Sequence, residues 1–352
     1  MRKGHWLLLA ISFLSIAGLG AYGYAQHERS AGEAVPVPHA LTKAATTTKP
    51  VTLLFTGDLM LDRGVANHAK TYGDAVLFSR VARLFLGADA LVPNLEGTIT
   101  DQPSVSIPDH SILRFTFDPR VAPFLKNLGV TAVSLSNNHT FDFGEAGYES
   151  TKEYLRQASI LSFGSPHNDD ELVTSFSVRS TSVCLVGYEE FVQSDVAPFA
   201  ELITRLRPSC DLLIATMHAG TEYESGYTAH QQAVAHAFID AGADMVIGTH
   251  PHVVEPLEIY KGKAIFYSLG NFMFDQDFSY ETTHGLAVRA ERSATSTRYT
   301  LIPLTISHQE TSFADEPDRT KTLSALIDSG LPRDVASSML TTHSFTLPNV
   351  RP

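Results

Sequence analysis

The sequence predicts an α/β fold in which two sheets pack face to face with helices outside. Three observations carry this expectation. From Val51 onward, apolar runs of strand length alternate with segments of helical spacing. The later part of the chain is richer in strand-like than in helical segments. With 43% hydrophobic and 18% charged residues among 352, the chain has the apolar material for a large core, which excludes global disorder.

The first element is a targeting segment. Arg2 and Lys3 precede an uncharged stretch, Gly4 to Gln26, richest in Leu, Ile and Phe between Trp6 and Leu19. A bilayer span needs about 20 apolar residues, so residues 1–27 read as a signal peptide or a signal anchor. The small residues at Gly23-Tyr24-Ala25 allow cleavage, and the length favours an uncleaved anchor. The basic flank places the remainder outside the cytoplasmic membrane, as a single-pass membrane protein or, after cleavage, a secreted or periplasmic one. Residues 28–50 lack any apolar period and read as a flexible spacer. One domain is expected over 51–310, followed by a C-terminal helix and tail over 311–352.

Within the domain, "VTLLFTGD" is a buried strand, "DAVLFSRVARLFLG" has helical spacing and "ALVPNLEG" is a short strand. "RVAPFLKNLG" is a helix with a glycine stop, "VTAVSLSNNH" a strand and "EAGYESTKEYLRQAS" a helix. "LVTSFSVRSTSVCLVGY" reads as a hairpin, "CDLLIATMHAG" as a strand, "AHQQAVAHAFIDAG" as a helix and "ADMVIGTHPH" as a strand. "PLEIYKGKAIFYSLGNF" is a hairpin turning at Lys261-Gly262; "GLAVRAE" and "RYTLIPLTIS" are late strands, and "TKTLSALIDSG" is the last helix. The two cysteines, Cys184 and Cys210, leave open a disulfide or two buried thiols.

Polar groups stand at the ends of five successive strands: Asp58; Asn94 and Glu96; Asn137, Asn138 and His139; His218; His250 and His252. In open α/β sheets the carboxyl ends of the strands line the ligand crevice. Imidazole, carboxylate and amide brought to one rim point to a divalent-metal site, although each group alone is a common polar turn. The net charge of −12 argues against nucleic acid or anionic lipid as the main partner. Tyr223 and Tyr227 are candidates to line the pocket. Asp240 and Asp244 read as turn and cap residues, and His68, His110, His230, His236 and His308 as structural or surface groups.

The stretches "FTGDLML", "NLEGTIT", "SLSNNHTFDFGEAGYEST", "MHAGTEY" and "DAGADMVIGTHPHVVEPLEIYKGKAIFYSLGNFMFD" resemble the CapA family of capsule and poly-γ-glutamate synthesis proteins, within the calcineurin-like metallophosphoesterase superfamily. The resemblance covers roughly Val51 to Asp275. It implies a four-layer α/β/β/α sandwich of the metallo-dependent phosphatase type, with a rim site for one or two divalent ions (Mn, Fe or Zn). By the same resemblance Asp58, Glu96, Asn138, His218, His250 and His252 are metal ligands, with Glu96 bridging. His139 stabilises or protonates the leaving group, and Asp142 and Asn271 support the ligands from behind.

Two departures stand out. Met60 occupies the place of a ligand histidine, which leaves one ion a ligand short unless Asp62 replaces it. Ala219 stands where a tryptophan is usual, which removes an aromatic wall. The implied function is a metal-dependent hydrolase or transferase acting on poly-γ-glutamate or a phosphoester, with membrane-embedded capsule synthase subunits as partners. The alternatives are a non-catalytic scaffold or export subunit, and a general extracytoplasmic phosphoesterase. A polyanionic substrate sits awkwardly with an acidic chain, and a basic patch around Arg114, Arg120 and Lys126 would offset this.

Overall fold

The computed structural model describes residues 49–107, 111–167 and 169–350. The leader over 1–27, most of the spacer and His110 lie outside them. Among the described residues, no helix is long and apolar enough to cross a membrane.

The chain is a mixed α/β fold with two principal sheets. The larger runs, in spatial order, Glu310–Phe313, Ser296–Ser307, His284–Arg292, Val51–Leu59, Ala90–Leu95, Ala132–Ser134, Leu161–Phe163; Asn271–Met273 also pairs with Val51–Leu59. The smaller runs Leu257–Tyr260, Lys263–Phe266, Met245–Thr249, Leu212–His218, Thr181–Glu189, Val173–Val178. Central neighbours in both sheets are parallel, so their carboxyl ends reach the same edge of each sheet.

Alternation along the strands sorts side chains into layers. Leu53, Phe55, Ala90 and Val92 of the larger sheet meet Leu185, Leu212, Ile214 and Ile247 of the smaller in one apolar cluster. Leu54, Leu91 and Val133 face the other way, onto Val65 and Phe78, Leu125 and Leu155 of the flanking helices. Behind the smaller sheet, Leu213, Ala215 and Val246 pack on Phe199, Leu202, Val234 and Phe238 of helices Ala197–Leu206 and Ala229–Ala241. The layers are therefore helices, sheet, sheet, helices. Cys184 and Cys210 form a disulfide within that last cluster.

Both expected hairpins are present. Lys261 and Gly262 both take positive φ, 48° and 75°, the geometry that two-residue hairpin turns favour. Three elements differ from expectation. "DAVLFSRVARLF" is a 3-10 helix, Asp74–Phe85, broken by non-helical φ/ψ at Val81. A helix at Arg63–Tyr72, capped by Asp62, was not anticipated, because its sequence is mostly polar and buries only Val65 and Ala69 as apolar side chains. The chain after 310 is no appended tail. A further helix, Arg333–Thr342, and a strand, Ser344–Pro348, follow the expected last helix, and the strand pairs with Ser296–Ser307. Leu323, Leu326, Val335, Met339, Phe345 and Leu347 enter the inter-sheet cluster, so the boundary drawn at 310 cuts through the core.

Two glycines bring backbones together at the rim. A Cβ on Gly57 would lie 1.7 Å from the carbonyl oxygen of Gly270, and one on Gly248 would lie 1.8 Å from that of Tyr267. Only glycine allows these approaches, and each immediately precedes a candidate ligand-bearing stretch.

Candidate metal centre

The register of the parallel strands sets the site. Asp58 is level with Asn94 in the larger sheet, and His218 is level with Thr249 in the smaller. The chain then turns sharply: His250 and His252, either side of Pro251, both take left-handed φ, 103° and 60°. For non-glycine residues this costs ~1–3 kcal/mol each, a strain that tends to gather at functional sites. The turn brings both imidazoles into the cluster.

Asp58 is fully buried and surrounded by donors. Its carboxylate accepts from Asn94 Nδ2 at 2.8 Å and from the His250 backbone N–H at 3.3 Å, and lies 3.2 Å from His252 Nδ1. Burial pushes its carboxyl up, but the hydrogen bond and charge of His252, with His218 and Asn94, outweigh this and hold it below the usual range. Glu96 is also fully buried and goes the other way. Burial, and then the charge of Asp58, push its carboxyl well up. Its Oε1 has no hydrogen-bond partner; the nearest imidazole nitrogens, His252 Nε2 at 3.6 Å and His139 Nε2 at 4.0 Å, are beyond bonding range.

His218 Nδ1 lies 3.0 Å from Thr249 Oγ1, and its Nε2 lies 2.9 Å from Asn138 Oδ1 and 3.2 Å from His250 Nδ1. Burial, then the neighbouring histidine, hold the His218 imidazole well below its ordinary range, and the same causes lower His250 to about 4. Both are neutral at neutral pH, the form that binds metals. His252 Nδ1 is 3.0 Å from Asn271 Oδ1, and Asn271 is anchored in turn by donating to the Thr282 carbonyl and Gln276.

Ligand atoms of Asp58, Glu96 and His218 lie within 4.8 Å of one another, all buried. A divalent ion fits this donor set. It would give the orphaned Glu96 oxygen a partner, and it suits mixed imidazole and carboxylate. An unbalanced buried carboxylate, by contrast, costs several kcal/mol. Asn138, His250 and His252 touch the same cluster through His218, Asp58 and Glu96.

His139 stands at the edge. Its Nδ1 is 2.8 Å from Asp142 Oδ2, which also accepts the Phe115 N–H at 2.6 Å. An acceptor there fixes the proton on Nδ1 and leaves Nε2 facing Glu96. The Phe115 ring, 4.3 Å away centre to centre, holds the imidazole from the side.

The structure corrects several expectations. Asp62 cannot stand in for the missing histidine: it caps the Arg63–Tyr72 helix through the Arg63 N–H and accepts from Ser104 Oγ and Thr116 N. Met60 is fully buried in the apolar cluster under the helices, its sulfur accepting the Asp62 N–H. Arg120, Lys126 and Arg114 do not form a free basic patch. Arg120 pairs with Asp74, Lys126 bonds the Ser159 carbonyl, and Arg114 bonds the Asp142 carbonyl. Tyr227 bonds Asp328 and stacks on Tyr267, whereas Tyr223 does reach the site, 6.0 Å from the His252 ring. Asp244 is more than a cap: it is a buried hub for Arg207, Lys263 and Arg292.

Two features escaped the sequence reading. Asn94, noted only as a strand-end amide, contacts Asp58, Glu96 and His218 together; its level with Asp58 in the sheet was the available signal. Phe191, 4.4 Å from the His250 ring, carried no motif at all.

The sequence profile of a family described as bacterial capsule synthesis protein PGA_cap matches residues 52–276. The PGA biosynthesis protein CapA of Bacillus subtilis (strain 168) is 29% identical over 274 residues, covering 73% of this chain and 72% of its own. The capsule biosynthesis protein CapA of Bacillus anthracis is 27% identical over 278 residues, covering 73% and 67%. Among solved structures, a phosphatase from Mycoplasma pneumoniae aligns with a TM-score of 0.44 at 19% identity, over 76% of this chain and 92% of that one. A likeness that distant adds nothing to the reading of the site.

Proposed function

The chain belongs to the bacterial capsule synthesis protein family PGA_cap, and on that premise we propose that it serves poly-γ-glutamate synthesis outside the cytoplasmic membrane, through a metal-dependent hydrolase or transferase site on a metallophosphatase-type sandwich. The observation that carries the chemistry is the buried Glu96 oxygen without a partner, beside Asp58 and His218.

Asp58, Glu96, Asn138, His218, His250 and His252 would hold the ion. Bound there, a divalent cation lowers the pKa of a coordinated water and takes up charge on the substrate oxygen. The chain's own groups do the rest. Asp142 keeps the His139 Nδ1 proton in place, so Nε2 is the atom that would take up a proton and, as the imidazolium, pass it to the leaving group. Asn94 holds Asp58 in orientation, and Asn271 holds His252. The Cys184–Cys210 disulfide is in keeping with an oxidising compartment.

Because Met60 is turned into the core and Asp62 is committed, the Asp58–Glu96–His252 side stays a ligand short. One ion is therefore held tightly and any second exchanges readily. Elemental analysis of the full chain, purified without chelator and then dialysed, should find one equivalent, which His218→Ala should lower, and Asp58→Asn should abolish turnover of a γ-glutamyl polymer. A parent chain that retains no ion would remove the reading.

A further inference from the structure

Among the described residues four phenylalanine and tyrosine rings are exposed, Tyr72, Phe191, Tyr223 and Phe278, and the last three gather at the metal cluster. Phe191 is 49% exposed with its ring 4.4 Å from that of His250. Tyr223 is 44% exposed and 6.0 Å from the His252 ring, with Phe278 edge-on behind it at 5.0 Å. One ring thus stands by each histidine of the pair.

Both rings are presented by backbone that is pinned to the site. The buried Glu189 carboxylate accepts the N–H groups of Phe191, at 2.6 Å, and Val192, at 3.0 Å, while the Glu190 N–H bonds the His218 carbonyl. The Tyr223 N–H bonds the Pro251 carbonyl at 2.9 Å, between the two histidines, and Tyr223 holds a left-handed φ of 66°. Exposed rings on pre-ordered backbone, strained at Tyr223, beside a candidate reaction centre are built for contact with a ligand.

The charge around them selects the ligand. Glu190 adjoins Phe191 and Glu222 adjoins Tyr223, and Glu222 bears electrostatically on Glu96. The guanidiniums that touch the site's rings are committed. Arg63 pairs with Asp275 between Phe115 and Phe274, and Arg114 bonds the Asp142 carbonyl over Phe143. A stretch of polyanion laid along this mouth would meet Glu190, Glu222 and the two rings.

We propose that Phe191 and Tyr223 are the specificity-determining residues of this site, taking the flat, uncharged face of a single substrate unit, an amide plane or a ring, next to the bond that reacts. This rests on the hydrolase or transferase reading above. The test uses the full chain with Mn²⁺ and two probes: a short γ-glutamyl oligomer, whose flat faces are amides, and bis(4-nitrophenyl) phosphate, whose flat faces are rings. On whichever probe the parent turns over, Phe191→Ala and Tyr223→Ala together should raise KM about tenfold or more, as two lost aromatic contacts imply, with kcat within about threefold. Phe191→Tyr and Tyr223→Phe should keep the parent KM. A KM effect confined to the oligomer identifies the amide plane; one confined to the diester identifies the ring. Should the double alanine variant fail to fold, Phe191→Leu, apolar but not flat, carries the same expectation. An unchanged KM in a folded variant, with Asp58→Asn inactive, overturns the specificity role and leaves the metal reading standing. A fully active Asp58→Asn overturns the metal reading, and a parent inert towards both probes overturns the hydrolase or transferase reading, each taking this inference with it.

Discussion

At the scale of single residues, pairs of like groups are pushed apart by their surroundings. Asp58 and Glu96 are both fully buried carboxylates, yet Asp58 collects donors and is held low while Glu96 keeps an orphan oxygen and is driven high. This division was not readable from the sequence, which placed both at strand ends but could not say which would find partners. Asp142 entered only through the family resemblance, whereas His139 and the histidine pair were legible, because strand-end polar groups must share a rim once the sheets are parallel. Phe191 was not, since a lone phenylalanine after a strand has no chemical signature. His139→Ala should keep the fold and the metal and lose about 10²–10⁴-fold in rate, the range of a lost acid–base group; an undiminished rate on a γ-glutamyl polymer would remove His139 from the proton transfer. Glu255 offers a test of pH. It is fully buried, bonded to Gln231 Nε2 at 2.7 Å, and burial raises its carboxyl from 4.5 to about 8. The folded chain then holds a proton that the unfolded chain loses above 4.5. Stability from this group is fully present below 4.5 and declines as pH rises through 8. Thermal melts of parent and Glu255→Gln should therefore diverge across that range, with the parent losing ground as pH rises. Parallel curves would mean that Glu255 is ionised in the fold.

At the scale of elements, the buried strands and the hairpin at Lys261-Gly262 were legible because apolar runs and turn chemistry are local signals. The C-terminal segment was not. Helix Arg333–Thr342 has a modest apolar face, and strand Ser344–Pro348 is short, so neither stands out until the inter-sheet core that they close is known. Their contribution is large all the same. Leu323, Leu326, Val335, Met339, Phe345 and Leu347 are buried in that core, and each apolar side chain contributes ~1.5–3 kcal/mol. Together they rival the whole net stability of an ordinary domain, about 5–15 kcal/mol. A chain ending at Glu310 should accordingly be insoluble or molten on expression, although every proposed ligand remains. A soluble truncate that melts cooperatively near the parent temperature would show that the two sheets close without the C-terminal segment.

For the whole molecule, the question is the compartment in which the rim works. The chain carries a formal charge of −12, its cysteines are paired, and a basic pair, Arg2 and Lys3, precedes the apolar stretch before the domain. Disulfides persist in oxidising surroundings and basic flanks stay in the cytoplasm, so the proposed placement outside the cytoplasmic membrane is the one to test. The acidic surface is compatible with this only if the substrate is met one unit at a time, because a long anionic polymer would be repelled at the salt of the medium over roughly the 8–10 Å of a Debye length. A reporter active only outside the cytoplasm, fused after Pro50 in place of the domain, should therefore be active in cells. The same fusion with Arg2 and Lys3 changed to Glu should lose most of that activity as the orientation signal is removed. A cytoplasmic reporter fused after Pro50 should be silent. Activity of the cytoplasmic reporter instead would place the rim inside the cell, where the Cys184–Cys210 pair would be reduced and the extracytoplasmic role could not stand.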